Sequence, residues 1–578
     1  MQSWRGHRFA TRLVALLPGL VGCLGDRTSD SASQPVADSA WTEDSDEPTD
    51  SVRLPRSGPD VVLGLGLLEL DLVQTCADPL DAVTYTEQGE ALGLLGPLRG
   101  EGTGGVGGSL AVFDLDHDGD LDVLIGFPEE PLAVYRWDGG AFVRDAPDTQ
   151  AHDVNMLNVA DLNGDGWLDV ITGSTGFPGI LWNTAGSLGT VETLSEISDM
   201  ARIRELAPAD VDGDGDVDLY GLTVRADNFP GELWDMFLWN NGDATFTLDT
   251  EGLGQGEATG QGFDAGWFDW DDDGDLDVYV ANDQGTVYGP DFMLKNDGGV
   301  LTNARAECFC GPTHTGMNVD AADFDGDGLF DVFVTTAENN VLLKQFADRT
   351  FGDVTLSVGA DVTVEGTDNP TGWGAVFFDR DNDGDLDVAV ALGDYSDGRN
   401  ADDDEGAQAA KDQQGQGGGG AAGSAQAPMP IALLEWDDER VYTDVAADLG
   451  LAREGSWRSV VTQDLNGDNV LDILMTDIFS APHLYMSDGC TAASWLRIEA
   501  PTATKVTVTA GERTWVDHIT HESGYGAAQP ANVHIGLGDV ATVDRVELRL
   551  PDGRTVVSET PFPANRVVRL AEPPGPGR

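Results

Sequence analysis

The sequence predicts an all-β protein: a seven-bladed β-propeller followed by a small C-terminal β-sandwich. Three observations point there. A nine-residue pattern, with an oxygen side chain at positions 1, 3, 5 and 9 and a tight turn near position 6, occurs seven times, each copy leading into a short apolar strand. The copies start 47, 49, 59, 54, 56 and 85 residues apart, a period that suits four-stranded blades rather than helical solenoids. After Cys490 the pattern stops and short alternating strands take over.

The oxygen ligands are Asp114, Asp116, Asp118 and Asp122; Asp161, Asn163, Asp165 and Asp169; Asp210, Asp212, Asp214 and Asp218; and Asp269, Asp271, Asp273 and Asp277. The last three copies carry Asp323, Asp325, Asp327 and Asp331; Asp379, Asp381, Asp383 and Asp387; and Asp464, Asn466, Asp468 and Asp472. Calcium takes six to eight hard oxygen donors, and carboxylates on alternate residues can fold inward around one ion. Without a cation they repel each other. Position 6 is Gly in six copies and Asn469 in the last, residue types that tolerate a left-handed backbone. Such a turn lets the position 7 carbonyl of Asp120, Trp167, Asp216, Asp275, Leu329, Asp385 and Val470 face the ion, giving up to seven calcium sites. An EF-hand loop would place Glu at position 12, where this chain has Ile125, Thr172, Gly221, Val280, Val334, Val390 and Met475. Segments such as Val278-Tyr279-Val280 and Val332-Phe333-Val334 read as strands, so these loops join strands.

A unit this small cannot bury a core alone, so units must stack. Within each, the loop and its strand are followed by a second strand ending in a polar turn, as in Val134-Tyr135-Arg136-Trp137-Asp138-Gly139 and Met293-Leu294-Lys295-Asn296-Asp297-Gly298. Asn-Gly and Asp-Gly are hairpin turns. The propeller is assigned to residues 61–490, with 394–428 as a disordered insertion within a blade, because that stretch is acidic and Gln/Gly/Ala-rich. Residues 491–572 form the sandwich and 573–578 a tail.

On these residues the chain resembles FG-GAP/VCBS repeat proteins, whose calcium loops occur in the integrin α propeller. Trp373-Gly374-Ala375-Val376-Phe377-Phe378 and Leu110-Ala111-Val112-Phe113 match that family's approach to the loop. Gly524-Tyr525, His534-Ile535-Gly536-Leu537-Gly538 and Val546-Glu547-Leu548-Arg549-Leu550-Pro551-Asp552-Gly553 are similar to the ASPIC/UnbV domain that closes proteins of the cartilage acidic protein family. The Gly-rich stretch expected before Lys505-Val506 is shortened here.

Arg5, Arg8 and Arg12 precede an apolar run from Leu13 to Val21, a secretory signal over residues 1–22. Leu20-Val21-Gly22-Cys23 resembles a bacterial lipobox, which implies lipid on Cys23 and, with Leu24 following, an outer-membrane or cell-surface location; the stretch up to residue 60, rich in Ser, Asp, Pro and Thr, reads as a disordered, flexible tether over 23–60. Removing Cys23 leaves Cys76, Cys308, Cys310 and Cys490, which allow three pairings. Cys76 with Cys490 would tie the ring's start to its end, with Cys308 and Cys310 as a local loop. Cys308-x-Cys310 with His314 is alternatively a partial zinc site that lacks a fourth ligand. The formal charge of −71 would fall only to −57 with seven calcium ions, and argues against nucleic acid as a partner.

There is no Gly-x-Ser-x-Gly, His-Glu-x-x-His or Walker loop. His518 and His521 read as solvent-exposed strand positions, and Trp137, Trp182, Trp239, Trp267, Trp373 and Trp436 as blade core rather than a sugar-binding surface. The expectation is a calcium-binding surface module that recognises a protein or a glycan. Its rivals are a calcium-dependent, polysaccharide-lyase-like enzyme and a purely structural envelope component.

Overall fold

The computed structural model describes residues 61–570 apart from 394–427, 250–259, 224–234, 97–106 and shorter stretches. The signal, the Cys23 lipid site, the tether, the tail and nearly all of the insertion therefore lie outside the described residues. Among those residues the protein is nearly all β.

Seven sheets of four blade strands each make the propeller. Their innermost strands are Ser109–Phe113, Val154–Ala160, Ile203–Ala209, Gly262–Phe268, Gly316–Ala322, Thr371–Phe378 and Trp457–Gln463, defining blades 1 to 7. Each inner strand packs against the next, and Trp457–Gln463 packs against Ser109–Phe113, closing the ring. In blades 2 to 7 the inner strand carries a bulge near its start.

The core lies between blades, so both faces of a blade strand are buried. In blade 4, Val278 and Val280 point into the core shared with blade 3, whereas Tyr279 and Ala281 point into the core shared with blade 5. Alternation along the strand thus sorts side chains between two apolar layers, which explains the continuous apolar runs after each loop.

Blade 7 is completed from the other end of the chain. Tyr85–Glu87 pairs antiparallel with His483–Ser487 as its outer strand, and Thr84 and Thr86 each donate a hydroxyl hydrogen bond of 2.7 Å to Asp488. Cys76 and Cys490 are joined by a disulfide beside this closure, and Cys308 by another to Cys310. That second bond removes the zinc alternative: His314 Nε2 sits 2.7 Å from Asp291 Oδ2 instead. In blade 6 the 394–427 stretch falls between Asp387–Gly393 and Ala432–Trp436, which pair with each other.

The C-terminal strands form two sheets around a core that includes Leu496, Val508, Leu537, Val546 and Val568. The hairpin of Lys505–Ala510 with Arg513–His518 is complete despite its shortened approach. One assignment changes. Val61–Leu63 pairs parallel with Thr555–Ser558, and Leu68–Leu70 pairs antiparallel with Arg566–Leu570, so these residues extend the sandwich sheets rather than a blade.

From the sandwich a loop enters the propeller axis. Ala527–Ala528 pairs in parallel with the inner strand of blade 1, and the Gly526 carbonyl accepts from Leu110 N and Leu157 N, both at 3.2 Å. Tyr525 is fully buried with Met156, Phe263, Met317 and Trp373, one from each of blades 2, 4, 5 and 6. Arg204 of blade 3 lies over Phe263, 3.6 Å from its ring centroid, and Arg458 of blade 7 over Trp373 at 3.9 Å. Gly524 and Gly526 are required here: a Cβ on Gly524 would stand 2.6 Å from Val460 Cγ1, and Gly526 has φ +57°.

Candidate metal centre

Every acidic loop joins the innermost to the second strand of its blade, and position 9 begins that second strand in all seven. All seven loops therefore lie at the same end of the ring. The position 6 residues are left-handed, Gly119 to Gly384 and Asn469 alike. Position 4, which the sequence did not single out, is left-handed as well, held by His117, Gly164, Gly213, Asp272, Gly326, Asn382 and Gly467. The two reversals curl the odd positions onto one side.

The same internal hydrogen bonds recur. Position 5 accepts from the position 7 N–H in all seven loops, at 2.9–3.1 Å. Position 1 accepts from the position 6 N–H, as in Gly119 to Asp114 at 3.0 Å and Gly328 to Asp323 at 2.8 Å. The position 9 Oδ1 accepts a backbone N–H from the third strand, or in blade 2 from just beyond it, at 2.7–3.0 Å, from Trp137, Asn183, Asn240, Asn296, Gln345, Trp436 and Ser487. Position 9 is thus a latch between loop and sheet as well as a candidate oxygen donor, a role that spacing alone does not reveal.

In five loops three carboxylates bring ligand oxygens within 4.8 Å of one another: Asp114, Asp116 and Asp118; Asp210, Asp212 and Asp218; Asp269, Asp271 and Asp273; Asp323, Asp325 and Asp331; and Asp379, Asp381 and Asp383. The other two loops have Asn at position 3. Asn163 and Asn466 accept the position 5 N–H at 2.9 Å, the same bond that Asp212 accepts in blade 3, so the amide oxygen takes the carboxylate's place. Some acceptor oxygens have no hydrogen-bond partner: Asp331 Oδ2, Asp379 Oδ1 and Asp269 Oδ1, on side chains that are almost wholly buried. This donor set of carboxylates, amides and backbone suits a hard divalent cation.

Concentrating acids under a protein surface is costly. Burial is the leading cause that pushes Asp169 and Asp218 up to about 7, Asp331 and Asp472 to about 8, and Asp210, Asp323 and Asp464 to about 6, with neighbouring aspartates adding to the rise.

The C-terminal domain reaches these loops directly. Lys505 Nζ lies 2.8 Å from Asp272 Oδ1, and Arg549 lies 3.3 Å from Asp269 and 3.1 Å from Asp272, all at the blade 4 loop. At blade 6, Trp515 Nε1 donates to the Gly384 carbonyl at 3.1 Å, and His534 is 2.6 Å from Asn382 Oδ1. A cavity of about 400 Å³ lies between the blade 5 and blade 6 loops and the Arg513–His518 strand.

The exposed reading of the two terminal-domain histidines is overturned. His518 is only 10 % exposed and meets Phe330 of blade 5 edge-on, with ring centroids 5.0 Å apart, while His521 Nδ1 is 2.8 Å from the Gln529 carbonyl. Trp267 and Trp436 are buried among other aromatics in inter-blade cores, as expected, whereas Trp373 is not blade core but part of the axial cluster around Tyr525. Trp137, Trp182 and Trp239 are half-buried and pack against the inter-blade cores. One nucleophile–base pair stands apart from the loops: Ser480 Oγ is 2.9 Å from His483 Nε2, whose Nδ1 is 3.4 Å from Glu87. Ser480 also donates to Asp477 at 2.8 Å, so the group clasps blade 7 to its N-terminal strand.

The family model for the FG-GAP-like repeat matches residues 114–172, 161–221, 269–334 and 323–390. The model for ASPIC and UnbV matches 501–576. The chain is an FG-GAP-like repeat protein with a C-terminal ASPIC and UnbV domain. The blade 7 loop, outside the matched repeats, has the same hydrogen bonds as the others. No curated protein matches the chain. Among solved structures, an Agrocybe aegerita lectin that recognises non-reducing terminal N-acetylglucosamine is 15% identical, covering 64% of this chain and 86% of its own, with a TM-score of 0.35. YCF48 bound to D1 peptide is 8% identical, covering 71% and 97%, TM-score 0.38. An ancestral GH74 enzyme is 12% identical, covering 76% and 50%, TM-score 0.38. At these scores the likenesses say nothing of function.

Proposed function

We propose that this FG-GAP-like repeat protein is a calcium-stabilised binding module, secreted or held at a bacterial outer membrane or cell surface through lipid on Cys23, that recognises a protein or a glycan. The observation that carries the metal part is the recurrence of one loop geometry at the same end of seven blades, with carboxylate oxygens gathered within 4.8 Å in five of them. Positions 1, 3, 5 and 9 would hold the ion with the position 7 carbonyl, and among their oxygens Asp269 Oδ1, Asp331 Oδ2 and Asp379 Oδ1 are buried without a hydrogen-bond partner.

The binding role is supported by the architecture. Calcium loops and terminal domain hold one end of the ring, which leaves the inter-strand loops of the other end as presented surface. Extracellular calcium modules bind at about 10⁻⁴–10⁻³ M, so the loops would be filled outside a cell. Metal analysis of the purified chain, with melting before and after chelation, tests the calcium part. Bound calcium and a lower melting temperature in chelator are expected by linkage; no calcium and identical melting would end the reading. A glycan array and capture with surface proteins test the ligand. Unsaturated products from uronic-acid polymers would favour a lyase over a binder.

A further inference from the structure

Resting on that calcium reading, we propose that the seven loops are not equivalent sites: in blades 1, 4 and 5 a basic side chain of the third strand is a tethered competitor for the metal, so these loops fill only at higher calcium than those of blades 2 and 7.

The strand register identifies the competitor. The second residue of the second strand faces Tyr135, Leu181, Leu238, Leu294, Leu343, Leu434 and Tyr485 in blades 1 to 7. The residue after each is therefore equivalent in all blades: Arg136, Trp182, Trp239, Lys295, Lys344, Glu435 and Met486. This position lies over the loop. Lys344 Nζ is 2.5 Å from Asp325 Oδ2 and 2.8 Å from Asp327 Oδ2, the position 3 and 5 ligands of blade 5. Lys295 pairs with Asp271 and lies 3.6 Å from Asp273, again positions 3 and 5. Arg136 lies 3.2 Å from Asp116 and 3.0 Å from Asp122, positions 3 and 9 of blade 1.

In blade 2 the same position points elsewhere: Trp182 Nε1 donates to Glu192 at 2.8 Å. Among the described residues no Lys or Arg lies within ion-pair distance of Asp161, Asp165 or Asp169. Blade 7 carries uncharged Met486. The cationic loops still have the marks of a metal site, since Asp331 Oδ2 of blade 5 and Asp269 Oδ1 of blade 4 are buried acceptors with no partner while the lysine holds their neighbours. An ion entering blade 5 must displace an ammonium from two of its ligands. A lysine stem is long and flexible enough to swing out to solvent, so the result is weaker binding rather than a blocked site. Losing a close charge pair of this kind corresponds to up to roughly fivefold in affinity.

Native mass spectrometry and calorimetric calcium titration of the full chain test this. Two classes of site are expected, with Lys344→Met moving one ion from the weak class to the tight class, and Lys295→Met doing so in blade 4 when joined to Arg549→Met, because Arg549 also lies 3.3 Å from Asp269, while Lys344→Arg moves none. The reciprocal Trp182→Lys should move one ion the other way, and far-ultraviolet circular dichroism verifies that each variant is folded. A single class for all ions in the wild type, or Lys344→Met leaving the tight class unchanged, overturns the inference while leaving calcium binding intact. No bound calcium at any concentration overturns both.

Discussion

Tyr525, on the loop that the C-terminal sandwich sends into the propeller axis, meets Trp373 of blade 6 edge-on, with ring centroids 5.3 Å apart and planes at 72°. Its hydroxyl is hydrogen-bonded to Arg204, and its carbonyl accepts from Ser459. The axis is therefore filled by the other domain. Tyr525→Ala should destabilise the whole chain by about 3–5 kcal/mol, the range for emptying a buried aromatic site. Tyr525→Phe, which strips Arg204 of a buried partner, should cost about 1–3 kcal/mol. Denaturant unfolding in calcium, followed by fluorescence, checks both. A full-size loss confined to a separate terminal-domain transition would contradict the shared core.

The loops and blades were legible because their signal is local and repeated: the ligand spacing, the position 6 turn and the strand starting at position 9 all fall within a dozen residues. What stayed hidden is long-range. Tyr85–Glu87 is a three-residue strand with two exposed positions, and nothing in it announces a partner some 400 residues later. Gly524-Tyr525 was recognisable as a family landmark, yet its placement in the axis depends on Trp373 and Val460 from distant blades. His518 was misread because alternation gives a strand two faces and cannot say that blade 5 covers the second.

The closure of blade 7 depends on the Cys76–Cys490 bond and on the short outer strand beside it. A bridge across so long a loop mainly restricts the unfolded chain, so replacing both cysteines with serine should lower stability by about 2–5 kcal/mol. The expected readout is a lower denaturant midpoint with faster hydrogen exchange at Thr84 to Gln88. Replacing Cys308 and Cys310, which close only a two-residue span, should have a much smaller effect on the midpoint.

Asp331 separates latch from ligand. Its Oδ1 accepts from Gln345 N at 2.7 Å, and its Oδ2 has no hydrogen-bond partner. Asn keeps an acceptor for the backbone, so in chelator Asp331→Asn should stay within about 1 kcal/mol of the wild type, whereas Asp331→Ala should lose about 1–3 kcal/mol. In calcium both variants should carry one ion fewer by native mass spectrometry. A full complement of ions in the Asn variant would remove position 9 from the ligand set.

His518 should make the protein sensitive to mild acid. Burial holds its imidazole down at about 4, helped by the charge of Lys505, which pairs across the hairpin. The other groups around it are Phe330, the Trp267 backbone, whose hydrogen bond acts in the opposite sense, and, 3.8 Å away, Asp517. An unfolded histidine titrates near 6.5, so between about 6.5 and 4 the unfolded chain binds the proton and the folded chain does not. Stability from this residue is therefore fully present above about 6.5 and falls with pH across that window, by up to about 3 kcal/mol. Asp517 acts in the opposite sense: burial raises it to about 7, so its folded form keeps a proton that the unfolded chain releases, which lowers stability as pH rises. Subtracting the pH–stability curve of His518→Asn from that of the wild type cancels Asp517 and leaves the histidine. The difference should be flat above pH 7 and slope downward towards pH 4; a difference with no slope in that range would show that His518 protonates equally well in the folded chain.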